Sequence, residues 1–185
     1  MATSRRHKPR AGPGRRLRLD LPNFVPYRIT VLATLMRRAL AEIYRDRPGL
    51  TEPEWKVMTT LAHYGPVASG DIGLYVTLDR VAVGRALAGL MRLGLATRTK
   101  NVADQRTFMV ALTARAERAY DRMAAEALAL EARILAGLRP KDVRTLVTLL
   151  DNVETSLRSP ADRRRLRLMQ TALAPENAAH AGRHR

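Results

Sequence analysis

The sequence has 185 residues, 33 Lys and Arg against 17 Asp and Glu, a formal charge of +16 and no cysteine. That length is enough for one sizeable core or a little more. With aromatics at 4% the core must be built from Leu, Val, Ala, Ile and Met, a mixture that favours helices. The absence of cysteine excludes disulfides, thiolate nucleophiles, thiol redox sensing and Cys-ligated zinc. Three of the four histidines, His7, His180 and His184, lie near the ends and leave only His63 in the middle, so no metal site and no cofactor is expected. The longest apolar run, around Ile29–Met36, is short and contains Thr30 and Thr34, so it cannot span a bilayer. The basic N-terminus has no apolar stretch behind it and does not read as a secretory signal. These readings predict a cytoplasmic protein without a membrane partner.

The charge is unevenly placed. Residues 1–19 carry seven bases and no acid; residues 158–185 carry seven bases with only Asp162 and Glu176. The stretch between them is nearly balanced. A basic, disordered N-terminal arm (1–19), a folded domain (20–157) and a basic C-terminal tail (158–185) are therefore expected. Such arms serve either solubility or attraction to phosphate.

From Pro22 to Arg45, Ile29, Leu32, Leu35, Met36, Ala39, Leu40 and Ile43 recur at helical spacing, and Arg47-Pro48-Gly49 stops the run. Thr51-Glu52-Pro53-Glu54 has the form of a capping box, which predicts a second helix from there to Gly65-Pro66. A short third helix is predicted over Ser69–Tyr75, with Asp71 near its positive end. Asp79 is a good N-cap for a fourth helix to about Leu93. There Val83, Ala86, Leu87 and Leu90 make the buried stripe, while Arg80, Ala82, Arg85, Ala88 and Arg92 fall outside it. Gly94 reads as the C-cap. Ala96–Lys100 and Thr107–Leu112 then read as two strands, the second alternating in period two, joined by polar residues 101–106. Thr113 caps a long fifth helix over about 114–137, and Pro140 opens a sixth to about Leu157.

Two short helices around a tight turn, followed by a basic two-stranded hairpin, make a winged helix-turn-helix. The expected fold class is mainly α (α+β), with this unit over 50–113 and flanking dimerisation helices over 20–47 and 114–157. The second helix of the pair offers its non-core face to base edges in a major groove, and the hairpin extends to neighbouring phosphates or the minor groove. Each feature alone has a blander reading, since Arg-rich helix faces are usually just solvated and basic hairpins are often protected sheet edges. Their order along the chain favours double-stranded DNA as partner. The expected DNA-binding residues are Arg80, Val81, Ala82, Gly84 and Arg85 on the helix and Arg98, Lys100, Gln105 and Arg106 in the wing. Asp104, two residues before Arg106, is expected to brace the wing. Arg98 has two equally weighted roles, contact with DNA or bracing.

Residues 50–113 resemble the core of the multiple-antibiotic-resistance regulator (MarR) family. The resemblance is carried by LTEPEWKVMTTL (50–61), DIG (71–73), VTLDRVAVGRALAGL (76–90), LGLATR (93–98) and DQR…LT (104–106 and 112–113). It implies a homodimer in which the first helix and the last two interleave across a twofold axis, an inverted-repeat operator, and a transcriptional regulator, in first expectation a repressor. Independently, the sixth helix carries more Leu and Val than one stripe against a small domain uses. Ile29, Leu32, Leu146, Leu149, Leu150, Val153 and Leu157 are the expected dimerisation residues, the alternative being that helix six packs on helix one of its own chain. The resemblance also implies a small anionic or aromatic effector between the dimer helices and the DNA-binding lobe. Tyr27, Arg28, Trp55 and His63 are candidates to line that crevice. Each also has an ordinary reading, with Trp55 as core, His63 at a helix end and Arg28 as a solvated cation.

The chain departs from the family pattern in two places. Val81, Ala82, Val83 and Gly84 replace the polar residues usual along the reading helix. Ala114-Arg115-Ala116 runs on where an acid–base–Gly turn is usual. The thin reading helix and the basic ends keep a second reading open, a weakly specific nucleoid- or RNA-associated architectural protein. No nucleophile motif, phosphate loop or metal spacing points to an enzyme.

Overall fold

The computed structural model describes residues 17–45, 49–102 and 104–169. Nearly all of the basic N-terminal arm and the last part of the C-terminal tail, residues 170–185, lie outside them.

The helix starts foreseen from capping chemistry are the best-defined local features. The Thr51 backbone amide donates to Glu54 Oε2 (2.7 Å) and the Glu54 amide donates to the Thr51 hydroxyl (3.5 Å), closing a capping box at the start of α2 (Glu52–Tyr64). Asp79 accepts from the Ala82 amide (2.7 Å) and opens α4 (Arg80–Arg92). Thr113 accepts from the Ala116 amide (3.2 Å) and opens α5 (Ala114–Leu135). The remaining helices are α1 (Val25–Tyr44), α3 (Ile72–Val76) and α6 (Pro140–Leu157). α3 begins three residues later than predicted, because 69–71 are spent on a turn in which the Asp71 amide donates to the Ala68 carbonyl (2.8 Å).

The chain divides into two compact units. The first runs to Arg38 and contains the exposed larger part of α1, entered through a turn closed by Asn23 donating to Asp20 (2.8 Å) and by Arg28 donating to the Pro22 carbonyl (3.0 Å). The second runs from Ala39 onward and holds the buried core. Met58, Ile72, Leu90, Leu95, Val57 and Val110 are its largest fully enclosed side chains, and Ala41, Ile43 and Tyr44 enter it from the last turn of α1.

The sheet has three strands rather than the two predicted. β1 (Val67–Ala68), β2 (Ala96–Lys100) and β3 (Phe108–Leu112) are antiparallel in the order β1–β3–β2. β1 has only two residues and no period to reveal it; it exists because β3 offers a second edge, where Val67 pairs with Val110 and Ala68 with Met109.

The basic C-terminal tail is ordered over its first part. Residues 160–169 are helical. The start signal is present in the sequence: the Ser159 hydroxyl accepts from the Asp162 amide (3.1 Å) and donates to Asp162 Oδ2 (2.7 Å), with Pro160 at the first helical position.

Candidate nucleic-acid interface

α4 is pressed against α2 by its buried side. A Cβ on Gly89 would overlap the Glu54 carboxylate, so glycine here permits the close crossing of the two helices. Val83, Ala86, Leu87 and Leu90 are buried on that side. The opposite side is open: Arg80, Val81, Gly84, Arg85, Ala88 and Arg92 are exposed, with Val81 at 66% and Ala82 half-buried. A Cβ on Gly84 would meet nothing within 4 Å. The predicted helix residues therefore share one accessible face, two cations flanking an apolar, low-relief patch.

α3 feeds this helix through a tight turn. Thr77 adopts a left-handed conformation (φ 56°), and the Leu78 carbonyl lies 2.7 Å from where a Gly73 Cβ would stand. Position 73 must stay glycine for the turn to close, since the obstructing atom is backbone.

The wing is a regular hairpin, in register from Ala96–Leu112 to Lys100–Phe108. Its tip is held by Asp104, but not as the sequence suggests. Asp104 Oδ1 accepts from the Arg106 backbone amide (3.0 Å), and its carbonyl accepts from the Thr107 amide and hydroxyl (both 3.0 Å). The acid thus fixes the turn through the backbone and leaves the Gln105 and Arg106 side chains exposed. Arg98 lies over the Phe108 ring, 3.5 Å from its centroid, which combines exposure with bracing. Lys100 is exposed at the far end of β2.

The base of the wing is tied down by Gly94 and Thr113, both read in the sequence as helix caps, and by Arg115, whose contact the sequence does not announce. Gly94 takes φ +66° to end α4. The Thr113 hydroxyl donates to the Gly94 carbonyl (2.9 Å), and Arg115 Nη1 donates to the Leu93 carbonyl (3.3 Å). Arg115, which departs from the family's usual turn, thus caps the end of α4 from outside. Its only sequence signal was its place three residues after Leu112.

The candidate dimerisation residues stand on open faces. α6 buries none of its residues, and Leu146, Leu149, Leu150, Val153 and Leu157 are between 37% and 83% exposed. Ile29 and Leu32, in the other unit, are 38% and 52% exposed. Among the effector candidates, Trp55 is core: only 8% exposed, it stacks on Tyr44 (5.7 Å, 17°) and tilts against Tyr120 (6.3 Å). His63 meets Tyr64 edge-on (4.5 Å) at the end of α2. Tyr27 and Arg28 belong to the first unit, and the exposed Arg28 guanidinium donates one bond to the Pro22 carbonyl. A polar group the sequence did not single out lies beside Tyr64. The Tyr75 hydroxyl is buried without a hydrogen-bond partner among the described residues, its ring 4.3 Å from Tyr64. Burial first, then the charge of neighbouring Tyr64 and Asp71, raises the Tyr75 pKa, so it stays a neutral phenol.

A helix pair with an exposed second helix, followed by a braced basic hairpin, defines a winged helix-turn-helix. The sequence profile of the MarR family matches residues 50–108. The uncharacterized HTH-type transcriptional regulator YwoH of Bacillus subtilis (strain 168) is 30% identical over 94 residues, 51% of this chain and 68% of its own. Among solved structures, Sco3205 of Streptomyces coelicolor, a MarR family transcriptional regulator in complex with DNA, superposes with TM-score 0.68 at 19% identity, over 78% of this chain and 96% of its own. The PcaV transcriptional regulator from the same organism, in complex with its natural ligand, gives TM-score 0.68 at 19% identity, over 77% and 100%. This chain belongs to the MarR family of transcriptional regulators.

Proposed function

We propose that the protein is a sequence-specific, dimeric DNA-binding regulator that represses transcription from an inverted-repeat operator and is relieved by a small anionic or aromatic effector. One observation carries the reading: the face of α4 turned away from the core is open and cationic, beside a wing whose turn is fixed through backbone bonds so that its cations project. Arg80 and Arg85 supply polar readout, Val81 and Ala82 apolar contact with thymine methyls, and Arg98, Lys100, Gln105 and Arg106 contacts to phosphate. The twofold partner is supported by α6, whose Leu146, Leu149, Leu150, Val153 and Leu157 find no cover among the described residues. Half-sites about one helical turn apart, ~34–36 Å, follow from such a dimer. Sco3205, of the same fold, has been solved with DNA, and PcaV with a ligand.

Under this reading the protein is not an enzyme, uses no cofactor and works in the cytoplasm on the nucleoid. No helix among the described residues is long and apolar enough to cross a membrane. Exposed Val81 and the bare Gly84 favour one competing reading, an architectural protein that binds DNA with little regard to sequence. Selection of genomic fragments by the purified protein separates the two. Recovery of a single inverted repeat, retained against excess random DNA at fixed salt, supports the repressor. Recovery of fragments without a common motif overturns it in favour of the architectural reading.

A further inference from the structure

Five residues make less than two turns of helix, too few for α3 to hold itself in water. One distant segment grips it at both ends. Arg158 Nη1 donates to the Leu74 carbonyl (2.9 Å), in the part of the helix where carbonyls lack intrahelical partners. At the other end Asp71 makes no capping bond with its side chain; its carboxylate is instead paired with the Arg165 guanidinium.

The gripping segment is itself built. Arg158 Nε and Nη2 both donate to Glu154 Oε1 on the last turn of α6 (2.8 and 2.5 Å), which leaves the arginine side chain 18% exposed. The corner between α6 and the helical stretch 160–169 is closed by Arg163 donating to the Thr155 carbonyl (3.1 Å) and by the Ser159–Asp162 cap. Leu166 and Met169 are half-buried on one side of that stretch.

We propose that residues 158–169 form a strap that clips α3 to the end of α6, with Arg158, Arg165 and Asp71 as positioning residues for DNA reading. α4 follows α3 across the closed turn at Gly73–Leu78, so fixing α3 fixes the reading helix. α6 buries none of its own residues, and the tie between its end and α3 is polar. In a dimer joined through α6, the strap sets how each reading head sits with respect to the twofold axis. A head fixed in advance gives up less freedom on meeting its half-site, so the strap favours both affinity and one half-site spacing. The inference rests on the DNA-reading function proposed above.

The test uses the full chain with Arg158→Ala, Arg165→Ala and the double reversal Asp71→Arg/Arg165→Asp. Hydrogen exchange without DNA reads the strap itself. Amides of 72–78 are expected to exchange roughly three- to tenfold faster in the single variants, with α2 and α4 unchanged, and the double reversal is expected to restore much of the protection. Unchanged exchange at 72–78 overturns the strap, whatever happens on DNA. Titration against the selected inverted repeat and against versions with one base pair added or removed reads the positioning. The single variants are expected to bind the preferred repeat about three- to tenfold more weakly and to distinguish the spacings less. Faster exchange with undiminished spacing preference overturns the positioning role. Failure of the unmodified chain to select any repeat removes that role together with the DNA reading, while exchange still decides the strap.

Discussion

The Arg98 guanidinium carbon lies 3.5 Å from the centroid of the Phe108 ring, joining the two strands of the wing. Arg98 pairs in register with Val110, so Phe108 is its diagonal neighbour on β3. The negative face of the ring holds the cation in place, and the wing is stiffened in the free protein. Phe108→Leu keeps an apolar side chain and removes the ring face. We expect a loss of about 0.5–1 kcal/mol in thermal unfolding and a severalfold weaker DNA complex at fixed salt. Undiminished DNA affinity would take the orientation of Arg98 out of the binding account.

Asp104 acts on the turn, not on the arginine side chain, since its carboxylate accepts from the Arg106 amide. Asp104→Asn keeps an acceptor oxygen and is expected to preserve most binding. Asp104→Ala removes it, with an expected cost of about 1 kcal/mol in the wing and weaker DNA binding without loss of the dimer. Light scattering and a binding titration on both variants check this. Equal binding by wild type and the alanine variant would exclude bracing by Asp104.

Arg85 is exposed on the open face of α4, one turn beyond Val81. If its guanidinium meets a guanine edge bidentately, Arg85→Ala costs about 1–3 kcal/mol and relaxes preference at one position of the half-site. A base-by-base competition series measures this. A uniform loss across all sequences would instead assign Arg85 to a phosphate, and an unchanged affinity would remove it from the interface.

Gly84 and Gly89 cost helix stability alike, but the structure separates them. At Gly89 a side chain would collide with Glu54, whereas at Gly84 it would stand in open space. Gly84→Ala is therefore expected to stabilise the free protein by about 0.5–1 kcal/mol. If the α4 backbone comes close to DNA at that point, the same methyl lowers operator affinity. Higher melting temperature with unaltered binding would show that position 84 lies clear of the duplex. Gly89→Ala is expected to destabilise, because Glu54 is held in its capping box and cannot step aside.

These variants also show what could be read in advance. The capping residues Thr51, Asp79 and Thr113 announce helix starts because each exploits a local geometry that sequence spacing records. The outward face of α4 follows from the helical period once Val83, Leu87 and Leu90 are taken as core. What sequence could not supply were pairings between distant segments. β1 is recruited by an edge of β3, Arg115 reaches back to Leu93, and Arg158 and Arg165 meet residues 84 and 94 positions away. None of these has a period. The ordinary reading of Trp55 as core fits its place in the fold, though its enclosure by Tyr44 and Tyr120 joins three separate helices that no local pattern links.

The apolar face of α6 yields the prediction that bears most widely on the rest. Leu150 and Val153 are 48% and 40% exposed in the single chain, one helical turn apart, with Leu146, Leu149 and Leu157 exposed on the same helix. Neither belongs to the core of the second unit, so charging them leaves each chain's own packing intact. In a dimer joined through α6 the same charges would be buried without partners, at about 3–5 kcal/mol each. Leu150→Glu/Val153→Glu is therefore expected to shift the light-scattering mass from two chains to one while circular dichroism keeps the helical content. DNA affinity should then fall steeply, because the two half-sites lose their common anchor and each head binds alone. A two-chain mass retained by the double variant would place the interface elsewhere, and a single-chain mass for the unmodified protein would remove the twofold operator from the account.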